Sequence, residues 1–96
     1  MIGPPLADAL RVIQVSLTPV ALAAAVDTTE VQYTVPGVTV KDFITVSGPA
    51  PSAHVGIVGV RVVAPNTVAI AWGNFTNVAN VPPSGVYTFM ALEWTQ

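Results

Sequence analysis

The side chains with chemistry to offer are few and scattered. His54 is the single histidine, and a Ser/His/Asp arrangement would have to combine it with Ser47, Ser52 or Ser84 and one carboxylate. No Gly-x-Ser-x-Gly elbow presents any of those serines as a nucleophile. His54 follows Pro51-Ser52-Ala53, which reads as a loop position near solvent. One histidine in a chain without cysteine falls short of a zinc ligand set. The carboxylates are Asp8, Asp27, Glu30, Asp42 and Glu93. Asp27 and Glu30 are close, and Asp42 adjoins Lys41, yet neither pair has the oxygen-rich spacing of a calcium loop. Turn capping and solubility account for them, and nothing favours the paired carboxylates of a glycosidase. The expectation is a protein that is not an enzyme and that uses no cofactor and no metal.

Other motifs reduce to structure. Gly56-Ile57-Val58-Gly59 has the spacing of a nucleic-acid-clamping loop but lacks the basic residues to hold a backbone, so a strand bulge or a close backbone approach is expected there. Asn74-Phe75-Thr76 fits a glycosylation sequon, which matters only in a eukaryotic secretory pathway. The aromatics Tyr33, Phe43, Trp72, Phe75, Tyr87, Phe89 and Trp94 would form a sugar-stacking platform only if several shared one exposed face. Core or interface positions are the simpler reading.

Composition narrows the field further. The 96 residues are 52% hydrophobic and only 8% charged, about a third of the charge usual in soluble domains. Three basic residues and a net charge of −2 cannot neutralise a run of phosphates, so nucleic-acid binding is not expected. High hydrophobicity with low net charge argues against disorder. Residues 12–26 are the longest apolar stretch, but Gln14, Ser16, Thr18 and Pro19 interrupt it, and a bilayer crossing needs about 20 mostly apolar residues. Arg11 and Ala23-Ala24-Ala25 resemble parts of a secretory signal, whereas Asp8, Pro4-Pro5 and a strand-like alternation oppose that reading. No membrane contact is expected.

The elements that must carry these residues read as strands. Ile13, Val15 and Leu17 alternate with polar residues, as do Val31, Tyr33 and Val35. Pro36-Gly37 is a turn, residues 38–47 continue as strand with a break near Lys41-Asp42, and residues 48–52 form a Pro-containing loop. Residues 55–64 form an apolar run that suits a strand buried on both faces. Pro65-Asn66 then turns into a strand over 67–72, the best hairpin candidate. Residues 73–84 read as a connection, and residues 86–94 as the last strand. In that strand Val86, Thr88, Met90, Leu92 and Trp94 share one face and Tyr87, Phe89, Ala91 and Glu93 the other; both are largely apolar. Eighteen valines and ten threonines favour pleated sheet over helix. Only short turns of helix are conceivable, at 6–10 and 21–25. The expected fold is all-β: a single small β-sandwich or jelly-roll-like barrel of about six to eight short, mainly antiparallel strands. Residues 1–11 read as an N-terminal arm and residues 12–96 as the domain.

One succession of segments is more specific than its parts. Ser16-Leu17-Thr18-Pro19, Thr28-Thr29-Glu30, Pro36-Gly37-Val38 and Asp42-Phe43-Ile44-Thr45-Val46 come first. Gly56-Ile57-Val58-Gly59-Val60-Arg61-Val62 and Asn66-Thr67-Val68-Ala69-Ile70 follow, and then Phe75-Thr76-Asn77 and Pro82-Pro83-Ser84-Gly85-Val86-Tyr87-Thr88. This order resembles a small β module that recurs in structural proteins of tailed bacteriophages, and the resemblance spans residues 12–94. It implies a virion component with a β-sandwich fold and no enzymatic residues.

Together, the resemblance and the surplus of apolar side chains lead to the expectation of a capsid cement or decoration protein. Such a protein would be made in the bacterial cytoplasm and carried on the outer capsid surface. Its partners would be the major capsid protein and copies of itself, as a dimer or trimer. The expected subunit contacts are Ile2, Pro4, Pro5 and Leu6 in the arm, together with Trp72 and Trp94. A tail, baseplate or fibre module is the alternative in the same class, and a carbohydrate-binding module for host attachment the alternative from another.

Overall fold

The structure is a computed structural model that describes residues 10–22, 29–49, 55–76 and 78–93. Six strands form in chain order: β1 Leu10–Leu17, β2 Thr29–Thr34, β3 Asp42–Ser47, β4 Val55–Ala64, β5 Thr67–Asn74 and β6 Gly85–Glu93. They build two three-stranded antiparallel sheets, ordered β1-β6-β3 and β2-β5-β4, so the fold is all-β, as a small β-sandwich requires. Among the described residues there is no helix, hence none long and apolar enough to cross a membrane. Leu10 begins β1 rather than ending a helical turn, and Leu22 makes an isolated bridge to Asn80. Residues 6–9 and 23–25, the rest of the two conceivable helical turns, lie outside the described residues.

Alternation does the folding work. In β1, Ile13, Val15 and Leu17 turn inward while Val12, Gln14 and Ser16 face outward. In β6, Tyr87, Phe89 and Ala91 are buried while Val86 and Met90 are exposed. Val68, Ile70 and Trp72 of β5 meet these from the other sheet, and Val31, Tyr33, Ile44, Val46, Val60 and Val62 pack around them. Trp72 and Tyr87 meet edge to face, with centroids 6.1 Å apart, across the two layers. That geometry places the positive edge of one ring on the negative face of the other.

Two expectations are corrected. Residues 55–64 are not buried on both faces: β4 is an edge strand, and its Ile57 and Val58 are exposed. The enclosed strand of that sheet is its neighbour β5, flanked on both sides. A run of valines marks burial only if the strand is central, and centrality is set by pairing. Second, residues 38–41 are not strand. Val38 is a buried loop residue, and Asp42 closes a turn by donating its N–H to Thr39 O (3.0 Å) and accepting Thr39 N–H on Oδ2 (2.8 Å).

The β4–β5 hairpin forms at Pro65-Asn66, between paired Ala64 and Thr67. Proline presets its own φ, and Asn66 adopts φ 61°, a left-handed conformation that asparagine tolerates better than most residues. From there Asn66 accepts Val35 N–H (2.9 Å) and Gly37 N–H on its side-chain oxygen (2.8 Å), and donates to Val38 O (3.0 Å). One turn residue thereby ties the hairpin to the loop that crosses from β2 to β3. The predicted irregularity at Gly56-x-x-Gly59 is present as a register shift between Ile57 and Gly59, and a second shift falls between Val62 and Ala64.

Candidate functional site

The outer surface of the β1-β6-β3 sheet is built in rows by its register. Leu10, Leu92 and Phe43 make the first row, Val12, Met90 and Thr45 the second, Gln14, Thr88 and Ser47 the third, and Ser16 and Val86 the last. Val12 is 62% exposed, Phe43 58%, Val86 52%, Met90 44% and Leu10 38%. No ionisable side chain belongs to these rows. The face is therefore apolar at the Leu10 end and uncharged but hydrogen-bonding further along, where Gln14 Nε2 donates to Thr88 Oγ1 (3.3 Å). Exposed apolar surface gathered in one patch, rather than scattered, is the usual mark of a docking surface.

Charges sit around this face rather than on it. Arg11, on the inward side of β1, donates from its guanidinium to Asp42 Oδ1 and to Gly37 O. The Asp42 side chain is fully buried and the Arg11 side chain about a third exposed, so the pair closes one end of the sandwich. Asp42 thus works as a turn cap, in line with the sequence reading. Its ionic partner, however, lies 31 positions away instead of next door at Lys41. No local signal could reveal that pairing, because it depends on β1 and β3 both flanking β6.

The opposite outer face, on the β2-β5-β4 sheet, is finished differently. Glu30 of β2 and Arg61 of β4 stand on either side of β5, opposite Ala71 and Ala69 respectively. Their side chains meet across it in a two-pronged ion pair, with both N–H···O distances 2.8 Å. Ala69 is fully buried, and its methyl group leaves room for the charged side chains to cross. The Arg61 guanidinium beside Glu30 holds the Glu30 carboxyl below the usual glutamate range, and Glu30 in turn raises Arg61. Farther along, Phe75 and Val58 lie over Gly73, where an added Cβ would come within 2.7 Å of the Phe75 ring.

Groups that might have done chemistry have structural employment. Trp72 is buried, not on a contact surface, and its indole N–H donates to Tyr33 OH (3.0 Å). In the isolated chain it offers no stacking platform. Tyr87 OH donates to Pro83 O (2.6 Å), and burial raises both phenols above their ordinary value, which keeps them neutral. Asn74, the sequon residue, is 1% exposed and donates to Val78 O (3.0 Å) and Leu22 O (3.4 Å) while accepting Thr76 N–H (3.0 Å). It holds the β5–β6 connection and does not present its amide to solvent. A mainly apolar cleft of about 170 Å³ opens between the sheets beside Gly48, Pro49, Ile57, Pro83 and the Trp72–Tyr87 pair. Among the described residues no three His, Cys, Asp or Glu side chains gather as metal ligands. Ile2, Pro4, Pro5, Leu6, Trp94 and His54 lie outside the described residues.

Of the face itself, the sequence reading had identified the β6 stripe of Val86, Thr88, Met90 and Leu92. It missed Leu10, Val12 and Phe43. Apolar residues on both parities of β1, at Leu10 and Val12 as well as Ile13 and Val15, were the available signal. Compared with known proteins, the chain matches no family model, no curated protein and no solved structure.

Proposed function

We propose that the chain is a non-enzymatic structural subunit of a virion, a cement or decoration protein that sits on the outer capsid surface and bridges neighbouring major capsid subunits. The observation that carries the assembly role is the uncharged apolar face on β1, β6 and β3. The resemblance to structural modules of tailed bacteriophages supports the virion setting. Such a face lowers the free energy of the protein when another protein surface covers it. Its five exposed apolar side chains amount to roughly 500 Å², which at about 25 cal/mol per Å² is about 12 kcal/mol before the costs of association. The absence of ionisable groups in the rows helps, because no unpaired charge has to leave water.

The test is addition of the purified protein to undecorated capsids, followed by sedimentation and imaging. Regular density across the shell is the expected result. Density confined to the tail would replace cementing by a tail, baseplate or fibre role, and no association with either would reject the virion reading. Deleting residues 1–9, which leaves Leu10 and the face in place, should weaken shell binding while the β-rich circular dichroism spectrum is retained. Undiminished binding would rule out the arm as a contact.

A further inference from the structure

We infer that a second copy of this chain covers the β1-β6-β3 outer face, through the same face, about a two-fold axis lying along β6. This deepens the assembly reading above, with the face used for pairing and the dimer, not the single chain, as the unit that meets the shell, and rests on it for its biological setting alone. Three features select the occupant and its orientation.

The first is charge. A closed two-fold interface brings each residue against its own symmetry-related neighbourhood, so a face bearing like charges would repel itself. The rows running from Leu10-Leu92-Phe43 to Ser16-Val86 contain no ionisable side chain, and two copies meet without that penalty. The other sheet is less suited, since pairing through it would take the Glu30–Arg61 ion pair out of water although the two groups already satisfy each other.

The second is the gradient along the strands. Apolar rows stand at the Leu10 end and Gln14, Thr88 and Ser47 farther on. Rotation about an axis along β6 keeps every row at its own height, so apolar rows meet apolar rows and amide or hydroxyl groups meet their like. A two-fold axis in the plane but across the strands, midway along the rows, would press Val12 and Met90 onto Gln14 and Thr88. The chosen rotation also places β1 over the partner copy's β3. Leu10 then faces the larger Phe43 and Val12 faces Thr45, while Met90 of each copy lies at the axis.

The third is size. The five exposed apolar side chains supply roughly 500 Å² per copy and the polar rows add to it, against the roughly 800 Å² that one partner contributes to a standard stable interface. Twisted sheets stack face to face at about 10 Å with their strands about 30° apart, an arrangement open to two copies of this sheet.

Light scattering of the purified full chain should give twice the 9.9 kDa chain mass. Because the chain has no cysteine, M90C supplies a single thiol at the proposed axis. A short bismaleimide should link it into a dimer at least tenfold faster than Q32C on the other sheet, the stacked sheets being too far apart for a direct disulfide. V12D, an exposed change, should halve the mass while tryptophan fluorescence and the thermal transition report an intact fold. A monomeric mass at all concentrations, a three-copy mass, or equal cross-linking of M90C and Q32C would overturn the proposal. A monomer that still decorates capsids would overturn the self-pairing and leave the assembly role standing. A dimer that ignores capsids and tails would do the reverse.

Discussion

At matching places on the two sheets, the central strands β5 and β6 carry different outward residues. β5 has Ala69, Ala71 and Gly73, and the Glu30–Arg61 pair reaches over it; β6 has Val86, Met90 and Leu92, with Val12 and Phe43 on its flanks. Inward, both strands do the same thing, contributing Val68, Ile70 and Trp72 from one side and Tyr87, Phe89 and Ala91 from the other. A small side chain on a central strand lets flanking residues close over it, so that sheet completes much of its own outer surface. A large apolar one holds its neighbours apart and leaves apolar side chains exposed on that outer face. The difference shows that high hydrophobicity in a small domain divides into two parts, one that folds the chain and one that stays exposed on an outer face.

The equivalence of the inner faces is the part most easily broken. Trp72→Ala and Phe89→Ala should each destabilise the fold by about 3–5 kcal/mol in denaturant titrations, because each empties a large buried site. A much milder effect of either would mean that one sheet contributes little to the core. Next is Asp42→Ala, which leaves Arg11 without its buried partner and uncaps the Thr39 turn. We expect a loss of about 2–4 kcal/mol, within the range for breaking a partly enclosed ion pair.

A smaller pair of substitutions bears directly on the outer faces. Ala69→Leu should cost about 1–3 kcal/mol, since a larger side chain cannot fit beneath the crossing residues. Met90→Thr, measured on monomer already carrying V12D, should stay within about 0.5 kcal/mol of its parent, as expected of an exposed position. Equal costs would erase the contrast between the sheets. The smallest effect belongs to Glu30→Gln, because this ion pair is solvent-exposed and screened. The sign of its pH dependence is set by the lowered carboxyl value. The contribution is present above the ordinary glutamate range and disappears as pH falls through the folded-state value. A small acid-side decline in melting temperature should therefore be absent from the Gln variant.

Much of the strand pattern was legible because alternation is a local property. The inward stripe of Ile13, Val15 and Leu17 and the turn at Pro65-Asn66 need no knowledge of distant residues. The apolar run at 55–64 misled for the same reason: its composition is local, whereas its position at a sheet edge is not. Trp72 was expected among the subunit contacts, yet its indole is enclosed between layers and bonded to Tyr33. The sequon and the Gly-x-x-Gly spacing turned on local geometry, and the structure resolves them into a buried asparagine network and a strand bulge.

Sequence alone determined that this protein is a β domain with more apolar surface than a small core consumes, since β-branched content, period-two patterning and scarce charge are carried by the residues themselves. Tertiary structure alone decided where the surplus goes. Pairing places β6 between β1 and β3, which gathers Leu10, Val12, Phe43 and Met90 from three distant segments onto one face, and the same pairing draws Arg11 to Asp42 and Glu30 to Arg61. Those contacts join residues tens of positions apart, so their energies exist only once the strands have chosen their neighbours.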